Sequence, residues 1–351
     1  MLLRTAYKGL FRWAVTKEFK QATVNNKTKA PHCGAFLLYM IATENKKTDY
    51  LLQAQLNEVA KEVGNTPLLQ LTKVFSKKGV RLFAKQEWKQ LSGSVKCRPA
   101  FNIIRRAIES GELNHNSALL DATSGNTGIA YAAIGAKLGI RVVLCLPENA
   151  SKERKEILQS LGAEIILTSR FEGTDGAQEV AKELFVKHPG KYFYADQYKN
   201  DNNWKAHYYT TAVEIVKDLP DVTHFVAGLG TTGTFTGTGR RLRELIPAIH
   251  LTSLQPDSAL HGLEGWKHLE TAVVPAIYDA TVADENFDVS TEEAYEMLKA
   301  VAKYEGIVLS PSAAANIAGA IRVANKLERG TIVTVLPDNA DKYSEVIKKL
   351  L

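Results

Sequence analysis

After residue 50, short apolar runs alternate with amphipathic stretches, and this alternation restricts the fold more than any other feature of the chain. "ALLDA" (118–122), "RVVLCLP" (141–147), "AEIILT" (163–168), "KYFYAD" (191–196), "THFVAGLG" (223–230), "HLTSLQP" (250–256) and "TIVTVLPD" (331–338) read as strands. Helical spacing fills the gaps, over 128–139, 151–162, 174–187, 203–218, 234–245, 290–305 and 312–328. Gly139 is placed to close the first of these helices and Ser151 to cap the second. Near-continuous apolar strands have no polar face, so helices must cover both sides of a parallel sheet. The strands are too many for one compact mononucleotide unit. An α/β architecture of two lobes is expected, each an open, mostly parallel sheet covered by helices.

A length of 351 residues allows about two ordinary domains. The net charge of +6 resides in residues 1–40, leaving the remainder balanced, so no basic face for nucleic acid is implied. Cys33, Cys97 and Cys145 are odd in number and widely spaced, which argues for a reducing compartment over a disulfide framework. The eight histidines are scattered, and no metal is expected. Residues 1–48 form a basic, acid-poor leader that reads either as an organelle transit peptide or as an upstream segment wrongly included, with Met40 opening a more ordinary start. The first reading would send the protein to mitochondria and the second leaves it cytoplasmic. "CGAFLLYMIA" is half the ~20 residues a bilayer requires, so no membrane association is expected.

In sheets of this kind ligands bind beyond the carboxyl ends of the strands, which directs attention to the strand-to-helix turns. "GLGTTGTFTGTG" (228–239) gathers glycines and threonines at a helix start, a composition suited to a phosphate. Gly228, Gly230 and Gly233 also satisfy GxGxxG, with Asp257 downstream, so a dinucleotide site is a rival and a structural glycine turn a second alternative. "TSGNTG" (123–128) offers side-chain donors beside free backbone N–H groups, fitting a small carboxylate or, equally, a capped turn. In "LSPSAAAN" (309–316), Ser312 is either a helix N-cap or a ligand. Lys96, in "SGSVKCRPAFNII", sits among small residues at a helix start, as a solvated charge or a buried amine. Taken together, a phosphate cradle, a carboxylate nest, a hydroxyl and an amine suggest pyridoxal phosphate bound to an amino acid.

At these motifs the chain resembles the cysteine synthase and cystathionine β-synthase family of pyridoxal-phosphate enzymes, closest in look to the cysteine synthase B/M branch. The similarity runs from "GNTPLLQL" (64–71) to "PDNADKY" (337–343), with "DQYKNDNNWKAH" (196–207) a diluted match. It implies a fold like the tryptophan synthase β-subunit, fold type II, with a smaller lobe over 90–200 and a larger one from 49–89 plus 201–351. It also implies Lys96 as the Schiff-base lysine and Asn126 on the cofactor's ring hydroxyl. Thr123, Ser124, Gly125 and Thr127, with Gln197, would hold the substrate carboxylate. Gly230, Thr231, Thr232, Gly233 and Thr234 would bind the phosphate. Ser312 would face the pyridine nitrogen, with Ser310 as substitute.

The activity implied is β-replacement, making L-cysteine from O-acetylserine or O-phosphoserine and a sulfur donor through an aminoacrylate. Lys96 would remove the Cα proton, and the helix "SKERKEILQSLG" would close over the substrate. The sulfur would come from sulfide or a sulfur-carrier protein, and the enzyme would be a homodimer. Cystathionine or diaminopropionate synthesis, serine/threonine dehydration, a nicotinamide-dependent oxidoreductase and a non-catalytic scaffold are the alternatives. Cys97 stands where the family usually has an acid, and Thr232 replaces a common glycine. The stretch 254–269 lacks an arginine for O-phosphoserine, with Lys267 or His268 as the substitutes. Other features have plainer readings: Cys97 as a packed small residue, His207 as a structural hydrogen-bonder, "SKERKE" as a solvated face, and Tyr194, Tyr198, Tyr208 and Tyr209 as packing.

Overall fold

The computed structural model describes residues 51–123 and 125–350; the basic leader expected over 1–48 and Ser124 lie outside them. Contacts divide the chain after Ala54, and the unit from Gln55 onward carries all the elements below. In chain order these are β1 (Leu68–Gln70), β2 (Val80–Gln86), α1 (Cys97–Glu109), β3 (Ala118–Ala122), α2 (Asn126–Leu138), β4 (Arg141–Pro147), α3 (Lys152–Ser160), β5 (Glu164–Thr168), α4 (Gly173–Lys187) and β6 (Tyr192–Tyr194). They continue with α5 (Asn202–Tyr209), α6 (Thr211–Asp218), β7 (His224–Gly228), α7 (Gly233–Leu245), β8 (His250–Pro256), β9 (Glu285–Val289), α8 (Thr291–Glu305), α9 (Pro311–Lys326), β10 (Gly330–Leu336) and α10 (Ser344–Leu350).

Two sheets form, as the alternation requires. One has the order β5-β4-β3-β6 and is wholly parallel. The other has the order β1-β2-β10-β7-β8-β9, parallel except for the antiparallel edge pair β1–β2. Every residue of β3 is buried, as expected of a central strand covered on both faces. The alanine-rich α9 lies against the larger sheet, where a Cβ at Gly319 would stand 2.4 Å from a Leu254 methyl. Its small residues are what permit that approach. Gly139 closes α2 with φ 66°, and the Ser151 hydroxyl accepts from the Arg154 N–H at the start of α3, as the sequence predicts. Among the described residues no helix is long and apolar enough to cross a membrane.

Strands β1, β2 and β9 escape the apolar-run criterion. β2 reads "VRLFAKQ", and its Lys85 is fully buried against Glu214, 2.7 Å away. A charged residue in a strand interior signals solvent unless its partner, 129 positions later in sequence by residue number, is known. β9, "ENFDV", is a half-exposed edge. The single helix expected over 203–218 is two helices broken at Thr210, whose backbone leaves the helical region at φ −122°, ψ −68°. The Thr210 hydroxyl bonds back to the Ala206 carbonyl and receives a hydrogen bond from Arg98, so a tertiary contact fixes a break that helical spacing does not reveal.

Candidate active site

The turns singled out in the sequence meet between the two sheets. A cavity of about 280 Å³ is lined by Lys96, Thr123, Gly125, Asn126, Thr127, Gln197, Gly230 and Thr231 among others. A smaller one, about 50 Å³, shares Lys96, Asn126, Gly230 and Thr231 with it and adds Thr232, Thr234 and Ser312. Gly233 lines neither cavity and opens α7.

Lys96 stands where the cavities join, at the N-cap of α1. The turn before it is fastened to the segment after β10: the Val95 N–H donates to the Pro337 carbonyl at 2.7 Å, and Lys342 Nζ to the Gly93 carbonyl at 2.8 Å. Among the described residues none hydrogen-bonds to Lys96 Nζ. Burial lowers its pKa to about 8, against an opposing pull from the Asp338 charge. The amine is therefore substantially neutral near pH 8. Cys97 beside it is fully buried, and desolvation raises its thiol pKa, which fits a packed residue and not a redox switch.

The turn after β3 forms a nest. Thr123 Oγ1 accepts from the N–H groups of Gly125 (3.1 Å) and Gly128 (3.2 Å), which leaves its own proton to donate. Among the described residues none accepts from the Asn126 or Thr127 N–H at the start of α2. Thr127 donates to Gln197 Oε1 at 2.7 Å, and Gln197 Nε2 to the Ala122 carbonyl at 2.8 Å. Free donors at a helix N-terminus suit a carboxylate.

The turn after β7 is a second anion cradle. Among the described residues none accepts from the backbone N–H groups of Gly230 through Thr234. Thr232 is held in the left-handed region at φ 69°, with its hydroxyl buried and unpartnered. A Cβ at Gly230 would stand 2.0 Å from the Gly265 carbonyl oxygen, and one at Gly233 2.1 Å from Asn203 Oδ1, so only glycine fits at both. Five convergent N–H groups and an orphaned hydroxyl fit a phosphate.

At the third turn Ser310, not Ser312, caps α9, accepting from the Ala313 N–H at 3.2 Å. Ser312 is free of that duty and lines the smaller cavity, 3.3 Å from Ser310.

Several residues in or behind the cavity walls are not apparent from the sequence. Asp338, fully buried, accepts from Asn126 Nδ2 and the Tyr343 hydroxyl, both at 2.8 Å, while Lys342 donates to Asn126 Oδ1 at 3.2 Å. The signal was available: Asp338 follows the carboxyl end of β10. "SKERKE" is only partly a solvated face, because its Arg154 turns inward, pairs with Glu264 and stacks over the Tyr343 ring at 5.1 Å. Tyr198 lines the larger cavity and so exceeds packing, whereas Tyr209 is exposed. Lys267 reaches the cavity but pairs with Asp175 at 3.1 Å; His268 lines neither cavity and faces Thr271.

The chain matches the family model of pyridoxal-phosphate dependent enzymes over residues 59–338. It is 44% identical over 293 residues to the cysteine synthase of Aquifex aeolicus, covering 81% of this chain and 90% of that one. The O-acetylserine dependent cystathionine beta-synthase of Bacillus subtilis is 36% identical over 295 residues, covering 82% and 96%. Among solved structures, the cysteine synthase of Entamoeba histolytica superposes with a TM-score of 0.78 at 35% identity, covering 82% and 88%. The fold and site define a pyridoxal-phosphate dependent enzyme. Within that class, the chain belongs to the cysteine synthase family. The dinucleotide alternative is not favoured, and Asp257, its ribose ligand, lines neither cavity.

Proposed function

We propose that this enzyme makes L-cysteine by β-replacement on O-acetylserine with sulfide. The observation that carries the reading is the partnerless Lys96 amine between two sets of free donors, one suited to a phosphate and one to a carboxylate. Gly230, Thr231, Thr232, Gly233 and Thr234 would hold the cofactor phosphate, Asn126 its ring hydroxyl and Ser312 its pyridine nitrogen. Thr123, Gly125 and Thr127 would hold the substrate carboxylate, with Gln197 fixing Thr127; Ser124 is assigned there by the motif alone. Bound pyridoxal phosphate supplies the carbonyl and the electron sink that acidify Cα and release the β-substituent. Lys96 Nζ would anchor the cofactor and take up the Cα proton; its lowered pKa suits it to do so near neutrality.

The leaving group follows from charge. Arg154 and Lys267 line the larger cavity, but Glu264 and Asp175 engage them, and Glu172 adds a further acid. A dianionic phosphate ester is disfavoured there and a neutral acetyl ester is not, which agrees with the O-acetylserine of the Bacillus relative's name. Purified enzyme should form cysteine from sulfide and O-acetylserine at least about tenfold more efficiently, in kcat/KM, than from O-phosphoserine, a difference of ~1.4 kcal/mol. Preference for O-phosphoserine, or cysteine from neither, would overturn the reading. The lobes would divide as residues 90–200 against 49–89 plus 201–351, a boundary supported by the separate four-stranded sheet within 118–194. Free Cys97 and Cys145 support work in a reducing compartment, the cytoplasm.

A further inference from the structure

Two buried side chains of α5 touch the cradle threonines from behind. Asn203 Nδ2 donates to Thr231 Oγ1 at 3.1 Å, and His207 Nε2 lies 3.2 Å from Thr234 Oγ1. The two are four residues apart and so share one helical face. Backbone packing fixes that face against the cradle, because a Cβ at Gly237 of α7 would stand 2.0 Å from the Trp204 carbonyl oxygen.

The direction of each hydrogen bond follows from its surroundings. Asn203 Nδ2 also lies 2.7 Å from the Gln197 carbonyl, which can only accept, so the amide nitrogen and not the oxygen must face Thr231. His207 is buried, and desolvation, followed by the charges of Arg98 and Lys96, keeps it neutral, with one N–H. Its Nδ1 lies 2.9 Å from the hydroxyl of Thr211, which is fully buried and has no other side-chain partner among the described residues. That hydroxyl must donate to Nδ1, because a buried O–H without an acceptor is costly. The proton of His207 is then on Nε2, pointing at Thr234 Oγ1.

We propose that Asn203 and His207 are positioning residues that occupy the hydroxyl oxygens of Thr231 and Thr234 from behind and leave their protons to donate toward the cofactor phosphate. Each threonine oxygen already accepts from behind, and its proton is directed into the cradle. The arrangement suits a ligand with acceptors only, a phosphate dianion, over a neutral group in the same place. Asn203 also holds Gln197 through its carbonyl, so the cradle and the nest share one support. This inference rests on the phosphate assignment above.

The test compares binding of pyridoxal 5'-phosphate and of pyridoxal, which lacks the phosphate, to enzyme resolved of cofactor. Wild type should prefer the phosphorylated form strongly; equal affinity would sink the phosphate assignment itself. In His207→Phe and in the uncharged, similarly sized Asn203→Leu, pyridoxal phosphate should bind at least tenfold more weakly while pyridoxal affinity changes less than twofold. His207→Gln, which can place an N–H near Nε2, should recover most of the loss. In a Thr234→Ala background His207→Phe should have little further effect, because it acts through that hydroxyl. Variants that keep wild-type phosphate preference, or weaken both ligands equally, would overturn the positioning role and leave the phosphate assignment standing.

Discussion

Lys96 and Arg98 lie two residues apart at the same helix start and meet opposite fates. Arg98 is almost completely buried yet saturated: it bonds Glu87 at 2.7 and 2.9 Å, Glu214 at 2.6 and 2.8 Å, and the hydroxyls of Thr66 and Thr210. These carboxylates hold its pKa above the usual arginine range despite burial, and Arg98 with Lys85 brings the Glu214 pKa down to about 2. Lys96 has no hydrogen-bond partner among the described residues, and its pKa falls. A cation that completes a buried network is scaffold, whereas one left without an acceptor is available for chemistry. The strongest test is Lys96→Ala. Cysteine formation should fall on the order of 10³-fold or more, and the visible absorption of the bound cofactor should be lost, while the melting temperature of the cofactor-free protein at neutral pH does not fall below wild type. A loss of stability matching that of an Arg98 variant would erase the contrast.

Arg98→Met should do the reverse. Removing one member of a buried network leaves Glu87 uncompensated and Glu214 with Lys85 alone, and costs about 3–5 kcal/mol, measurable by urea unfolding of the cofactor-free protein. Adding Glu87→Gln should recover part of that loss, because the remaining carboxylate, Glu214, still pairs with Lys85. If Arg98→Met is as stable as wild type, the network is not the scaffold its geometry indicates.

The same pair shows how much was legible in advance. The alternation of apolar strands and helices carries most of both sheets, because a doubly covered parallel strand advertises itself by composition. The turns carry the site, because glycine and threonine clusters at helix starts have few other uses. Lys85 hid β2, because a buried charge reads as solvent exposure until its partner is known. Arg154 was hidden in "SKERKE" for the same reason: its burial depends on Tyr343 and Glu264, both more than a hundred residues away by number. Asp338 and Lys342 act on Asn126 only through the tertiary fold. What stays hidden is side-chain pairing across the chain, which local pattern does not encode.

A pH series sharpens the Lys96 half of the comparison. A neutral amine must attack the cofactor aldehyde, so the rate of pyridoxal phosphate uptake by cofactor-free enzyme should rise roughly tenfold between pH 7 and 9, with its midpoint at about 8. Stability should move with it. The folded pKa of about 8 lies below the ordinary 10.5, so between these values the folded chain binds fewer protons than the unfolded chain. Lys96 therefore contributes stability that rises with pH across that window, and Lys96→Met should lack this rise. A midpoint near 10.5 would mean that the amine is solvated after all.

The smallest effect separates the two roles at one residue. Thr232 is β-branched in the left-handed region at φ 69°, an arrangement that costs ~1–3 kcal/mol. Glycine there removes the strain but loosens the unfolded chain by ~0.4–1 kcal/mol, so Thr232→Gly should stabilise the cofactor-free protein by about 1 kcal/mol. The buried Thr232 hydroxyl has no protein partner, and with phosphate in the cradle it gains one. The same substitution should therefore weaken pyridoxal phosphate binding while raising the melting temperature of the empty protein. Opposite signs in those two measurements would mark Thr232 as held in strain for its ligand, as Lys96 is held without a partner for its own. A gain in both would mean the hydroxyl does nothing for the cofactor, and the strained threonine would have no functional account.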